Sequence, residues 1–334
     1  MSAAIDAGIS TFSVHNDSRL PQTTQDSAVQ LVALTAMLVV HVAGFVAPDW
    51  LVGKVPKTAR DLSFQTYFEL TRVKYQLNYV IFVIGFLLAR VASSVPLSLP
   101  EVAWRVLTIF LSFSVFLYGG CVYVINNISD IEDDRRKKAH RPLPSGKMGK
   151  THAWAWAALN GVLGLASANL LFGAPLVLIY GIFVLINLVY SFGLRHWDGL
   201  VVPLCFITTT APLRMFMGSV VGGGQLPASM YALAFLVYVG MQFARKIVIQ
   251  NRVNVNATAP YWLTAYWATA ALLLSNLNFT DTSHCAFGVA FVLASLNYFT
   301  AIFIPSLRGM IAQQLDERQF CTPAVATATH SKAA

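Results

Sequence analysis

Charge is what this sequence has least of. Asp, Glu, Lys and Arg make up 11% of its 334 residues, where a water-soluble domain of that length carries about a quarter. That shortage excludes an ordinary soluble domain and makes lipid the solvent. Cysteine is scarce too: Cys121, Cys205, Cys285 and Cys321 stand far apart, with no CxxC or Cys/His grouping. This argues against a zinc site and against a disulfide framework. The first 27 residues contain Asp6, Asp17 and Asp26. They lack the basic start and small-residue cleavage pattern of a secretory signal, and read as a disordered polar tail. What is abundant is apolar: 56% of the residues are hydrophobic and the mean hydropathy is +0.59. The net charge of +8 does not point to nucleic acid. The Lys and Arg residues sit in short segments between apolar runs, where they set membrane orientation.

Nine stretches approach the roughly 20 apolar residues that a membrane span requires. They lie near 29–47, 77–95, 103–125, 153–172, 174–193, 201–222, 229–249, 260–277 and 284–306. From the span at 77 onward the loops alternate between a basic side and a side with almost no charge. The basic side carries Arg72 and Lys74, the run from Arg135 to Lys150, Arg195, Arg245 with Lys246 and Arg252, and Arg308 with Arg318. The positive-inside rule makes this side cytosolic. The stretch at 29–47, which holds His41, fits either a span or an interfacial helix. Of the glycosylation sequons Asn127-Ile-Ser, Asn256-Ala-Thr and Asn278-Phe-Thr, the last alone falls between spans on the non-cytosolic side.

One segment concentrates the missing charge. "NNISDIEDDRRKKAHRPLPSG", Asn126 to Gly146, holds four acidic and five basic side chains. Asn126, Asp130 and Asp134 are spaced i, i+4, i+8, which on an α-helix stacks them along one stripe at the cytosolic end. Hard oxygen ligands so arranged suit Mg²⁺, which binds through one or two carboxylates plus the phosphates of a substrate. The basic run from Arg135 to Arg141, with Lys137, Lys138 and Arg141 foremost, then supplies countercharge for a diphosphate. A charged loop after a membrane helix is more often a solvated anchor. An anchor, however, requires neither Asn and Asp at helical spacing nor the stiff Arg-Pro-Leu-Pro-Ser-Gly turn that follows.

This pattern resembles the first aspartate-rich motif of the UbiA superfamily of intramembrane prenyltransferases, commonly NDxxDxxxD followed by a basic stretch and RPLPSG. The spacing looks most like the branch containing chlorophyll synthase and its fungal relatives. Tyr190, Ser191, Leu194 and Arg195 are similar to the family's YSxxLR sequence at the end of its fourth helix. The resemblance covers about residues 65–307. It implies an all-α integral membrane bundle of eight transmembrane helices around a central cavity, with a cytosolic polar cap. Residues 28–64 would then be an additional N-terminal hydrophobic segment and linker, and 308–334 a polar tail. It also implies Mg²⁺ as cofactor, held by Asn126, Asp130 and Asp134, and an isoprenyl diphosphate such as farnesyl diphosphate as substrate. Tyr190 joins the catalytic set, and Arg195 the diphosphate set.

The family's second aspartate motif departs from pattern. In "FARKIVIQNRVNVNATAP" its three acids are replaced by Ala244, Ile247 and Asn251, and Arg245 and Lys246 have entered. Fixed cations and a metal play the same electrostatic role toward a leaving group, so Arg245, Lys246 and Arg252, with Asn251, are candidates for holding the diphosphate. Aromatic faces stabilise carbocations. Tyr118, Tyr123, Phe183, Phe206, Phe216 and Phe243 lie in or near the inner helices, although such rings mostly pack. Transfer to a small acceptor such as an aromatic ring makes a prenyltransferase; capture by the substrate's own double bonds makes a terpene cyclase. An inactive relative, or a lipid-binding or transport protein, is the third reading, and Arg214 inside a span is the feature favouring transport. A eukaryotic source would place the chain in an endoplasmic-reticulum-type membrane, and its divergence would fit secondary metabolism.

Overall fold

A backbone crossing hydrocarbon must bond to itself, and these apolar runs do so as helices. The computed structural model describes residues 24–45, 64–71, 79–93, 98–197, 201–250, 255–304 and 307, and no β-strand occurs among them. Among the described residues, five helical stretches are long and apolar enough to cross a membrane: Ala28–Phe45, Leu99–Ser129, Lys150–Phe172, Ala174–Phe192 and Val201–Gly222. The described helices fall into two units, one up to Leu226 and the other from Pro227.

In the first unit, α1 (Thr24–Phe45) is the additional hydrophobic segment. Val29, Val32, Val39 and Val42 are exposed along it, as lipid-facing residues are, while Leu34, His41 and Phe45 are buried. The stretch that fitted either a span or an interfacial helix is thus long enough to span. Its buried side is tied down by polar bonds. His41 Nε2 pairs with the Tyr67 hydroxyl at 2.9 Å, and Nδ1 contacts the Asn160 amide oxygen. Trp156 Nε1 donates to the His41 carbonyl at 3.1 Å. Tyr67 belongs to the short α2 (Phe64–Thr71).

Helix α3 (Tyr79–Ala92) precedes α4, which runs unbroken from Leu99 to Ser129. Between Phe110 and Val122 the chain winds as a π-helix. This wider turn makes residues five apart neighbours: the Tyr118 and Tyr123 hydroxyls lie 3.4 Å apart, their rings 4.7 Å apart. Next come the short α5 (Ile131–Lys137), α6 (Lys150–Phe172) and α7 (Ala174–Phe192). The predicted span at 201–222 is two helices, α8 (Val201–Thr208) and α9 (Thr210–Gly222), meeting at Thr209.

Helices α3 and α9 approach most closely because glycine removes the side chains between them. A Cβ on Gly218 would lie 2.1 Å from the Phe82 carbonyl oxygen, and one on Gly85 2.2 Å from that of Met215. Small residues permit the van der Waals contact that replaces the hydrophobic effect inside a membrane. The core of this unit is aromatic, with Phe82, Phe113, Tyr180 and Phe183 all fully buried.

The second unit contains α10 (Ala228–Gln250), α11 (Val255–Leu274) and α12 (Thr282–Tyr298). Tyr266 stacks on Phe299 at 4.1 Å and shares a 2.8 Å hydrogen bond with Ser295. Asp281 caps α12, accepting from the backbone N–H groups of Ser283 and His284.

Candidate active site

The last turn of α4 and the start of α5 carry the acidic stripe. The single helix expected there is interrupted at Asp130, which closes α4 and opens α5 with φ −91° and ψ 0°. That bridge conformation is sparsely occupied and common where side chains do chemistry. The interruption does not scatter the stripe. Asp130 N–H donates to Asn126 O at 3.1 Å, and Asp134 N–H to Asp130 O at 2.8 Å, so the i, i+4 register continues through the turn.

Two arginines converge on the stripe from opposite directions in sequence. Arg195, in the 3₁₀ turn Leu194–His196 after α7, places Nη1 2.6 Å from Asp130 Oδ1. Arg141 places Nη1 2.6 Å from Asp134 Oδ2. Both carboxylates are buried, with Asp130 2% and Asp134 5% exposed. An isolated buried carboxylate is costly, so the two guanidiniums are what allow the acids to be buried.

The Arg-Pro-Leu-Pro-Ser-Gly sequence positions Arg141. Ser145 N–H bonds back to Arg141 O at 2.9 Å and Met148 N–H to Pro142 O at 3.1 Å. Gly146 adopts φ +78°, a left-handed conformation that other residues seldom take.

Asn126 is engaged as well. The Ser191 hydroxyl contacts its side-chain oxygen and also donates to Asn187 O at 2.7 Å. Ser191 was legible only as part of a motif, and its contact with Asn126 joins residues 65 positions apart. Tyr190 is partly buried beside it. Asn127 faces elsewhere: its Nδ2 donates to Leu70 O in α2 at 2.7 Å. The family's usual Asp at that position could not make this bond.

Of the basic run, Arg141 joins the acids. Arg135 instead bonds Glu132 at 2.8 Å on the exposed side of α5, away from the stripe. Lys138 is partly buried. The side chains of Lys137, Arg245 and Lys246, and the whole of Asn251 and Arg252, lie outside the described residues. Toward the bundle interior the stripe continues as Tyr123 and Tyr118, with the Arg214 guanidinium 6.0 Å from the Tyr118 ring centroid. Arg214 is fully buried and donates from Nε to Thr210 O at 2.9 Å.

Among the described residues no three His, Cys, Asp or Glu side chains form a metal cage. Two carboxylates and an amide oxygen instead fit Mg²⁺, which completes its shell with water and substrate phosphate.

The UbiA prenyltransferase family model matches residues 78–315. The chain belongs to the UbiA prenyltransferase family. A solved UbiA homologue from Archaeoglobus fulgidus bound to GPP and Mg²⁺ superposes with a TM-score of 0.52 at 17% identity, over 75% of this chain and 96% of that one. The same homologue bound to Cd²⁺ gives a TM-score of 0.54. At these identities the likeness shows the UbiA membrane fold.

Among curated relatives, decaprenyl-phosphate phosphoribosyltransferase of Mycobacterium tuberculosis is 30% identical over 153 residues, 45% of this chain and 48% of the relative. Digeranylgeranylglyceryl phosphate synthase of Methanocaldococcus jannaschii is 39% identical over 102 residues, 30% of this chain and 33% of the relative. A polyprenyl transferase of Emericella variicolor is 32% identical over 139 residues, 40% of this chain and 42% of the relative. The matched region spans about half the length, or less, of these relatives. Several apolar helices and the family together make this a multi-pass membrane protein.

Proposed function

We propose that the protein is a Mg²⁺-dependent intramembrane prenyltransferase that ionises an isoprenyl diphosphate at the charged end of α4 and transfers the prenyl group to a small acceptor. The observation carrying this reading is the pair of buried carboxylates, each held by one arginine at 2.6 Å. Asn126, Asp130 and Asp134 would hold Mg²⁺, which supplies Lewis-acid neutralisation of the departing diphosphate.

The chain's own residues do the rest. Arg195 and Arg141 neutralise the acids before substrate arrives, and in its presence have guanidinium donors to offer the diphosphate oxygens. Ser191 orients the Asn126 amide. The prenyl tail would lie inward along Tyr123 and Tyr118, whose ring faces stabilise positive charge on the allylic carbons. Asp130 and Asp134 are buried, and in such surroundings charge interactions act more strongly than in water. Tyr190, Lys137, Lys138, Arg245, Lys246, Asn251 and Arg252 complete the proposed site, which would lie at the cytosolic face.

The acceptor separates this reading from cyclisation. The replacement of the second motif's acids by Ala244, Ile247 and Asn251 is the feature that favours the cyclase as a second reading. Membranes containing the protein would be incubated with farnesyl diphosphate and Mg²⁺, first without an acceptor and then with aromatic ones. Prenylated acceptor supports the transferase; a cyclic hydrocarbon formed without acceptor defeats it.

A further inference from the structure

The helix that bears the acids has a second face, and that face borders a cavity. With about 3.6 residues per turn, Ile128, Glu132 and Arg135 lie well round from Asp130, with Ile131 between them and the acids. They line one wall of a cavity of about 410 Å³, within the usual range for small-molecule sites. The other walls are the first turns of α6, through Lys150 and Trp154, and the last turn of α7, through Ser191 and Phe192.

Three features of this cavity converge on one chemistry. The first is charge. Arg135 is paired with Glu132, while Lys150 makes no ion pair among the described residues, so the lining carries a net single positive charge. The second is the end of α6. Gly149 at its N-cap supplies no side-chain acceptor to the first-turn N–H groups of this 23-residue helix, so its positive end faces the same region. The third is the rim. Trp154 and Phe192 stack at 6.1 Å and 15°, and both are exposed, as aromatic residues are at the level of lipid head groups. The floor between them is apolar, formed by Ile128, Ile131 and Leu143.

We propose that this cavity binds the phosphodiester head group of an anionic membrane lipid, with Lys150 on the phosphate, Arg135 turning to join it from its exposed and therefore weak pair with Glu132, and the upper acyl chain along Trp154 and Phe192. Basic pockets between transmembrane helices recognise lipid phosphate in this way. The site adjoins the diphosphate site: Ser129 and Ser191 line the cavity, and they contact Asp130 Oδ1 at 3.4 Å and Asn126 respectively.

The test measures binding and not turnover. The full-length protein in detergent micelles is titrated with phosphatidylglycerol, phosphatidylcholine or inorganic phosphate, and retained ligand is read by native mass spectrometry. Saturable retention of phosphatidylglycerol, weakened by about 30-fold in Lys150→Gln/Arg135→Gln, is the expected result. Both replaced side chains are exposed, so the double variant keeps its fold, checked by an unchanged melting midpoint without lipid. Equal retention of phosphatidylcholine, equal competition by inorganic phosphate, or undiminished binding in the double variant would overturn the proposal.

Discussion

The two partners of the Asp130–Arg195 pair are unequally buried, and that asymmetry predicts unequal costs of removing them. The Asp130 side chain is 3% exposed and that of Arg195 36%. Arg195→Ala strands a carboxylate where water hardly reaches, which costs about 2–3 kcal/mol of stability. Asp130→Asn removes the charge from the buried position, and the guanidinium can turn toward solvent, so that variant loses about 1 kcal/mol. The double variant should cost less than the sum by about 1–2 kcal/mol, because it leaves no buried charge uncompensated. Thermal unfolding of the four proteins in one detergent, followed by tryptophan fluorescence, measures the cycle. Equal losses from the two single variants, or strict additivity in the double, would refute the claim that Arg195 is what makes Asp130 tolerable in the interior.

Further predictions follow from other contacts. Asn127→Asp, which restores the family's more usual residue, should destabilise by about 2–3 kcal/mol without raising turnover, because it sets a carboxylate against the Leu70 carbonyl; a gain in activity would place Asn127 in the metal site instead. His41→Ala should cost about 2–4 kcal/mol by removing the ring nitrogens that meet the Asn160 amide oxygen and the Tyr67 hydroxyl, seen as a lower melting midpoint. Gly218→Ala should cost about 1–3 kcal/mol by forcing α9 away from Phe82 of α3, whereas Gly181→Ala, where a Cβ meets nothing within 4 Å, should leave the midpoint unchanged.

Much of the site could be read from spacing. The i, i+4, i+8 interval of Asn126, Asp130 and Asp134 is a local property of helix, and it survives the turn at Asp130 because the backbone bonds on either side keep their register. Arg141 was legible for the same reason: the proline-rich turn binds it close in sequence to Asp134.

What could not be read depends on partners far along the chain. Asn127 turns from the acids to Leu70, 57 residues earlier, and Ser191 reaches Asn126 from 65 residues later. Arg135, counted in the basic run, is carried by helix geometry to the exposed side of α5, where it pairs with Glu132. The π-helical stretch between Phe110 and Val122 has no pattern in its apolar sequence to announce it, because periodicity is silent in a helix buried on all sides. His41 was visible as an oddity in an apolar helix; that it finds Tyr67 and Asn160 emerges only from packing.

The central claim is that Asp130 and Asp134 hold the metal on which ionisation of the prenyl diphosphate depends. It is tested most directly by diphosphate release from farnesyl and geranyl diphosphate in reconstituted membranes, with Mg²⁺ titrated from zero in the presence of chelator. The wild type should release diphosphate only with Mg²⁺, and Asp130→Asn or Asp134→Asn should lower that release by about 100-fold or more at saturating Mg²⁺ while staying folded. Release at the wild-type rate by either variant, or release undiminished by chelation, would contradict it.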